Sequence, residues 1–118
     1  MTTVSAVTLG CKVNQAESDG ILESFRRRGY LVYDAPENSD VVILNTCAVT
    51  LEGERKSLKS ARRLKRLPHK PCVIVTGCFA TLQPDEAEAT EADLVVGNHE
   101  KSRIVEFYES LVSRRDAR

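Results

Sequence analysis

Short apolar runs alternate along this chain with longer segments whose apolar residues recur at helical spacing. The short runs predict five β-strands, at residues 4–9, 31–33, 41–44, 73–75 and 94–96. The longer segments predict helices at residues 14–28, 51–67 and 104–112, with a shorter helix or turn within residues 83–90. Residues 41–44 are apolar without a break, which is typical of a strand buried on both faces of a parallel sheet.

Polar residues at the segment ends predict where the first helix begins and stops. Asn14 is followed three residues later by Glu17, which resembles a capping box at a helix N-terminus. Gly29 follows three arginines and predicts the C-terminal stop.

Strands that alternate with helices indicate right-handed βαβ units and a mostly parallel sheet. We therefore expect a flavodoxin-like, three-layer α/β domain with the strand order 2-1-3-4-5. The domain is expected to span residues 1–112, and the polar residues 113–118 are expected to form a frayed tail.

Composition narrows the class of protein further. The 118 residues are 42% hydrophobic, enough for one domain with its own core. The 17 basic and 17 acidic side chains balance, which argues against a domain that binds nucleic acid nonspecifically over its whole surface. No apolar run is long enough to cross a membrane, and the first residues do not resemble a secretory signal, so we expect a cytoplasmic protein.

Three of the four cysteines follow strands that the predicted order makes neighbours. Cys11, Cys47 and Cys78 come after strands one, three and four, at the carboxyl ends where α/β sheets bind ligands. Three convergent thiolates suit a soft metal or an iron–sulfur cluster with one open iron. Cys72 precedes strand four and is expected at the opposite edge as a small packing residue. Three unrelated buried cysteines would fit the same spacing.

The residues around these cysteines resemble a known family. The segments TLGCKVNQ (residues 8–15), NTCAVT (45–50) and TGCFA (76–80) are similar to the three cysteine motifs of radical S-adenosylmethionine methylthiotransferases, in their N-terminal domain. Residues 93–98 and 100–101 resemble a fourth segment of that domain. The first two motifs look most like the subfamily that modifies threonylcarbamoyladenosine in tRNA.

The resemblance implies an auxiliary 4Fe–4S cluster held by Cys11, Cys47 and Cys78, with an open iron that carries sulfur for the methylthio product. It also implies a radical domain in cis, with its own 4Fe–4S cluster and S-adenosylmethionine, and a C-terminal domain that helps to bind tRNA. The chain contains no C-x3-C-x2-C motif, so we expect both later domains to be absent and this piece alone to be inactive.

Several neighbours of the cysteines are expected to support the cluster. Gly10 and Gly77 precede two ligands, where the backbone must turn or approach closely. The polar residues expected to donate to cluster sulfides, or to serve as ordinary helix and turn caps, are Asn14, Asn45 and Thr46. Thr81 stands where the family often has Gln, so a supporting contact there is expected to differ.

The net charge of zero conceals one strongly basic helix. Residues 51–70 contain eight Lys or Arg and two Glu, whereas residues 85–100 contain six acidic and no basic side chains. The side chains expected to contact tRNA phosphates or another domain, or else simply to be solvated, are Arg55, Lys59, Arg62, Arg63 and Arg66.

Two other classes of function remain open at this stage. A sugar-phosphotransfer domain with one nucleophilic cysteine after strand one would use Cys11 but leave Cys47 and Cys78 without a role. A stand-alone flavodoxin-like module that binds zinc or a protein partner would need no catalysis.

Overall fold

Apolar runs of the sequence form the central sheet. The computed structural model describes residues 2–9, 12–46, 51–82 and 84–116, and within them five strands pair in parallel in the order β2-β1-β3-β4-β5. The strands are β1 Thr3–Thr8, β2 Leu31–Val32, β3 Val41–Thr46, β4 Cys72–Gly77 and β5 Leu94–Val96. The predicted flavodoxin-like α/β fold and its strand order are confirmed.

Helices cover both faces of this sheet. They are α1 Lys12–Arg27, α2 Leu51–Lys65, α3 Cys78–Leu82, α4 Pro84–Glu88 and α5 Ile104–Asp116, with 3-10 helices at Pro36–Asn38 and Asn98–Arg103. Residues of α1 and α5 share one core cluster, while residues of α2, α3 and α4 share another. The result is the predicted three-layer architecture.

The alternation of side chains along β3 explains why its sequence is apolar throughout. Val41 and Ile43 join the core beneath α1 and α5, whereas Val42 and Leu44 join the core beneath α2. All four are fully buried, because successive side chains of a strand point to opposite faces and both faces are covered.

Some predicted boundaries were wrong. Helix α1 begins at Lys12, so Asn14 lies inside its first turn and is not the N-cap. Its side chain instead donates to the backbone oxygen of Leu9, before the helix. Helix α4 lies within residues 83–90, where a short helix or turn was expected, but the short helix α3 before it was not predicted.

Other elements are longer than the sequence predicted. Strand β3 continues through the polar pair Asn45 and Thr46, and β4 starts at Cys72 and ends at Gly77. Helix α5 continues to Asp116, into the segment expected to be a tail. Fraying of residues 113–118 stays a prediction. Within the described ranges, no helix is long and apolar enough to cross a membrane.

We predict that Phe25→Ala lowers the free energy of unfolding by about 3–5 kcal/mol. Phe25 is fully buried, and its ring centroid lies 5.2 Å from that of Tyr30 and 5.9 Å from that of Tyr108. Urea denaturation followed by circular dichroism measures the loss. Tyr33→Ala is the control, because Tyr33 is 43% exposed and its removal should cost less than about 1 kcal/mol. Equal losses in the two variants would contradict this assignment of the core.

Candidate metal centre

The parallel register brings the ends of three strands side by side. Asn45 of β3 pairs with Thr8 of β1 on one side and with Thr76 of β4 on the other. Thr46 then pairs with Gly77. We call this region, the ends of β1, β3 and β4 at Thr8, Thr46 and Gly77, the carboxyl edge.

The three predicted ligands follow these strand ends in the sequence. Cys47 is the residue after Thr46, Cys78 is the residue after Gly77, and Cys11 comes three residues after Thr8. Cys11, Cys47 and the supporting residue Gly10 lie outside the described residues. Among the residues that the structure does describe, no group of three or more His, Cys, Asp or Glu is placed to hold a metal ion.

Gly77 allows β4 to end directly against β3. Its φ is +98°, in the region that L side chains rarely adopt. A Cβ there would lie 2.6 Å from the backbone oxygen of Thr46 and 2.7 Å from Asn45 Oδ1, too close for any side chain. Gly77 therefore lets the backbone turn out of β4, so that α3 begins directly at Cys78.

Cys78 and Cys72 mark opposite ends of β4. Cys78 is the first residue of α3 and is partly exposed, and its Sγ lies 3.9 Å from Asn98 Nδ2. Cys72 is the first residue of β4 and packs, partly buried, against the core beneath α1 and α5. The structure confirms that Cys72 lies away from the carboxyl edge, since β4 separates it from Cys78.

Asn14 connects the ends of β1 and β3. Its Nδ2 donates to the backbone oxygen of Leu9 at 2.7 Å and to that of Thr46 at 3.4 Å. Asn45, fully buried, donates from Nδ2 to the backbone oxygen of Asn14 at 2.9 Å and to Ser18 Oγ at 3.2 Å. An amide nitrogen has two hydrogens, so in this arrangement both side chains commit their donors to the protein itself.

Thr46 connects β3 to β4 and to the helix that Cys78 begins. Its hydroxyl donates to the backbone oxygen of Thr76 at 2.6 Å and accepts the backbone N–H of Phe79 at 3.1 Å. The hydroxyl thus satisfies an amide in the first turn of α3, where no helical acceptor exists. Together with Asn14, it joins the three strand ends into one network.

Thr81 forms a supporting contact on the outer side of α3. Its hydroxyl donates to the backbone oxygen of Gly77 at 3.0 Å and accepts the backbone N–H of Asn98 at 2.8 Å. Thr81 therefore connects α3 to the 3-10 helix that follows β5.

Sequence reasoning missed Lys101. Its side chain is 11% exposed, and its Nζ lies 2.9 Å from Glu17 Oε2 and 3.3 Å from Asn45 Oδ1. The only available signal was its place in the fourth family-like segment, because a lysine in a polar loop ordinarily stays in solvent.

The predicted basic residues of α2 share one surface. They border a single open groove of about 580 Å³, lined by Arg55, Leu58, Lys59, Arg62, Arg63 and Arg66. Among the described residues, none of the five cations forms an ion pair with a carboxylate, whereas Lys56 pairs with Glu52 and Lys65 with Asp93. We call Arg55, Lys59, Arg62, Arg63 and Arg66 the basic face.

Comparison with known proteins identifies relatives along nearly the whole chain. Threonylcarbamoyladenosine tRNA methylthiotransferase MtaB of Aquifex aeolicus is 40% identical over 114 residues, which cover 96% of this chain and 28% of that protein. MtaB of Thermotoga maritima is 42% identical over 112 residues, or 94% of this chain and 25% of the relative.

A second group of relatives carries a different name. The tRNA-2-methylthio-N(6)-dimethylallyladenosine synthase of Fusobacterium nucleatum is 36% identical over 115 residues, which cover 94% of this chain and 26% of that protein. The chain thus spans about a quarter of the length of these relatives.

The sequence also matches a family model, described as uncharacterized protein family UPF0004, over residues 3–97. The matched range runs from the start of β1 to the end of β5 and includes all three cysteine motifs. The chain therefore belongs to the UPF0004 family.

Proposed function

We propose that this chain is the domain of a tRNA methylthiotransferase that binds an auxiliary 4Fe–4S cluster. Cys11, Cys47 and Cys78 would be its three protein ligands, leaving one iron open. The observation that carries the proposal is the register that aligns Thr46 with Gly77 and Asn45 with Thr8. The strands that lead to the three cysteines therefore end together, as a shared site requires.

The donor chemistry of this edge fits an iron–sulfur cluster. Thiolates are the soft ligands that such clusters use, and no Asp, Glu or His lies within the three cysteine motifs to favour a harder metal. The two long helices α1 and α2 are the next described elements after β1 and β3 of the parallel sheet, so their N-terminal ends face this edge. The partial positive charge there favours a net negative cluster.

The residues of the chain itself hold and orient the ligands. Gly77 turns the backbone so that Cys78 starts α3, and the Thr46 hydroxyl fixes that helix by accepting the amide of Phe79. Asn14 holds Leu9 and Thr46, the last described residues before the other two ligands. When bound, the cluster would supply sulfur for the methylthio product through its open iron.

The names of the relatives support a proposal for the substrate. MtaB proteins, whose name specifies threonylcarbamoyladenosine in tRNA, are 35–42% identical to this chain in four species, and three of them are 38–42% identical. Proteins named for dimethylallyladenosine reach 30–36%. We therefore assign the threonylcarbamoyladenosine branch to this chain. Its enzyme would act in the cytoplasm, with a second 4Fe–4S cluster and S-adenosylmethionine on a radical domain in cis, and this piece alone would be inactive.

The basic face would contact the tRNA backbone. Four of its members recur along α2 from Arg55 to Arg63, a span of about 12 Å at 1.5 Å per residue, and Arg66 directly follows the end of the helix. None of them forms an ion pair with a carboxylate among the described residues, so phosphates can serve as their counterions. A protein domain that docks here instead is the alternative that the tRNA experiment below tests.

We predict that each of Cys11→Ala, Cys47→Ala and Cys78→Ala loses most of the cluster that the parent chain binds. After anaerobic reconstitution, the parent should hold about four iron and four sulfide per chain. Cys72→Ala should match the parent, because Cys72 lies at the far end of β4. Iron and acid-labile sulfide analysis measures the contents.

Other metal contents would point to the rival functions. Zinc bound in place of iron and sulfide would indicate the stand-alone module. A chain that binds no metal and is phosphorylated on Cys11 would indicate a sugar-phosphotransfer domain. Cluster loss in Cys72→Ala alone would mean that the ligand assignment is wrong.

We predict that the double variant Arg62→Gln/Arg66→Gln binds tRNA more weakly than the parent. The slope of log affinity against log salt should become less steep by about 0.7–0.9 for each phosphate that the protein no longer neutralises. Fluorescence anisotropy with labelled tRNA, measured across a salt series, gives both quantities.

The matched control removes two arginines elsewhere. Arg26 and Arg27 end α1 and pair with Glu23, so Arg26→Gln/Arg27→Gln should leave the salt slope near that of the parent. If both double variants lower the slope equally, the affinity reflects net charge and not the basic face. An unchanged slope in Arg62→Gln/Arg66→Gln would favour a protein partner for this surface.

A further inference from the structure

A lysine is buried beside the carboxyl edge. Lys101 belongs to the 3-10 helix Asn98–Arg103, and only 11% of its side chain is exposed. Lysine is rarely buried unless its charge is paired. Here the ammonium group donates to Glu17 Oε2 at 2.9 Å and to Asn45 Oδ1 at 3.3 Å.

These contacts join three separate parts of the chain at one point. Glu17 lies on α1, which begins one residue after Cys11 in the sequence, and Asn45 is the residue two before Cys47. Lys101 follows β5, the neighbour of the strand that leads to Cys78. The Lys101 ammonium group therefore contacts α1, which follows Cys11, and the end of β3, which precedes Cys47. It reaches them from the segment after β5, the strand beside β4.

The contact with Asn45 determines how that amide is used. Because Lys101 donates to Oδ1, the Nδ2 of Asn45 points the other way, toward the backbone oxygen of Asn14 and Ser18 Oγ. Asn14, held in this way, donates to the backbone oxygens of Leu9 and Thr46. A charged donor to Oδ1 polarises the Asn45 amide and strengthens the hydrogen bonds that its Nδ2 donates.

We propose that Lys101 is a positioning residue that holds the ends of β1 and β3 in register through Asn45 and Asn14 before any cluster binds. The inference rests on the proposed function only in taking this edge as the cluster site. The positive charge of Lys101 would also favour the reduced form of a cluster held at this edge, because reduction adds negative charge.

A second lysine–carboxylate pair provides the matched control. Lys65 Nζ lies 3.1 Å from Asp93 Oδ2, and both side chains are largely buried. Asp93 Oδ2 also accepts the backbone N–H of Val73, near the start of β4, so this pair is at the opposite edge of the sheet. Lys65→Met removes a comparable ion pair without touching the carboxyl edge.

Amide hydrogen exchange of the metal-free chain tests the proposal without a cluster. The Leu9 N–H donates to the backbone oxygen of Asn45, and the Cys72 N–H donates to that of Asp40 at the opposite edge. Lys101→Met should speed exchange at Leu9 by about tenfold and leave Cys72 unchanged. Lys65→Met should not speed exchange at Leu9. Unchanged exchange at Leu9 in Lys101→Met, or an equal rise at Leu9 and Cys72, would overturn the proposal.

A milder substitution covers the case in which Lys101→Met does not fold. Glu17→Gln keeps the Lys101–Asn45 contact but removes the charge that anchors the ammonium group, and Glu17 is 39% exposed. Exchange at Leu9 should rise in this variant too, by a smaller factor than in Lys101→Met. No change at Leu9 in Glu17→Gln, with Lys101→Met unfolded, would count against the proposal.

The reduction potential of the cluster in the reconstituted chain is a second measurement, and a purely structural role of Lys101 would not change it. Lys101→Met should lower the reduction potential of the bound cluster, because a buried cation has been removed, while Lys65→Met should leave it at the parent value. Equal potentials in all three chains would overturn the electrostatic part of the proposal. If the parent binds no cluster, the proposed function fails, and the exchange experiment still decides whether Lys101 positions the edge.

Discussion

The close approach of β4 to β3 at Gly77 and Thr46 is the constraint on which the carboxyl edge depends. The backbone oxygen of Thr46 occupies the space that a side chain at position 77 would need. This contact sets the point at which β4 ends and α3 begins with Cys78. The Thr46 hydroxyl then holds both neighbours, since it bonds to Thr76 on β4 and to Phe79 on α3. Displacing either strand by one residue would break all of these contacts together.

The two buried polar residues that end β3 serve this edge rather than the core. Asn45 and Thr46 are fully buried, yet each finds partners on neighbouring elements. Unpaired polar groups at such depth would each cost about 1–3 kcal/mol. The apolar residues of β3 stabilise both cores, whereas its polar end, Asn45 and Thr46, fixes the positions of the neighbouring strand and helix ends. The same strand therefore connects the stability of the domain to the arrangement of its proposed ligands.

The fold could be predicted because it depends on patterns that are local in the sequence. The unbroken apolar run of β3 and the alternation of strands and helices were enough to predict the parallel sheet and its order. That order also placed Cys72 and Cys78 at opposite edges. The helix start at Lys12 was missed because Asn14 resembles an N-cap, whereas its side chain bonds to a carbonyl that only the folded strand ends bring near.

The contacts between distant segments were beyond sequence reasoning. Asn45 and Thr46 were expected near the site, but as donors to the cluster or as caps, and the partners they have in the structure come from β4, α1 and α3. Lys101 was not expected to be buried, because nothing in a polar loop shows that Glu17, 84 residues away in the sequence, will face it. Such pairings follow from the three-dimensional fold and not from the spacing of residues.

The central claim is a cluster with three protein ligands and one open iron at the carboxyl edge. Mössbauer spectroscopy of the chain reconstituted with iron-57, before and after addition of a small thiolate such as methanethiolate, tests it most directly. The account predicts a cubane cluster in which the thiolate changes the parameters of one iron and leaves the other three nearly as they were. A spectrum that the thiolate does not alter, or a chain that takes up no iron–sulfur cluster, would contradict it.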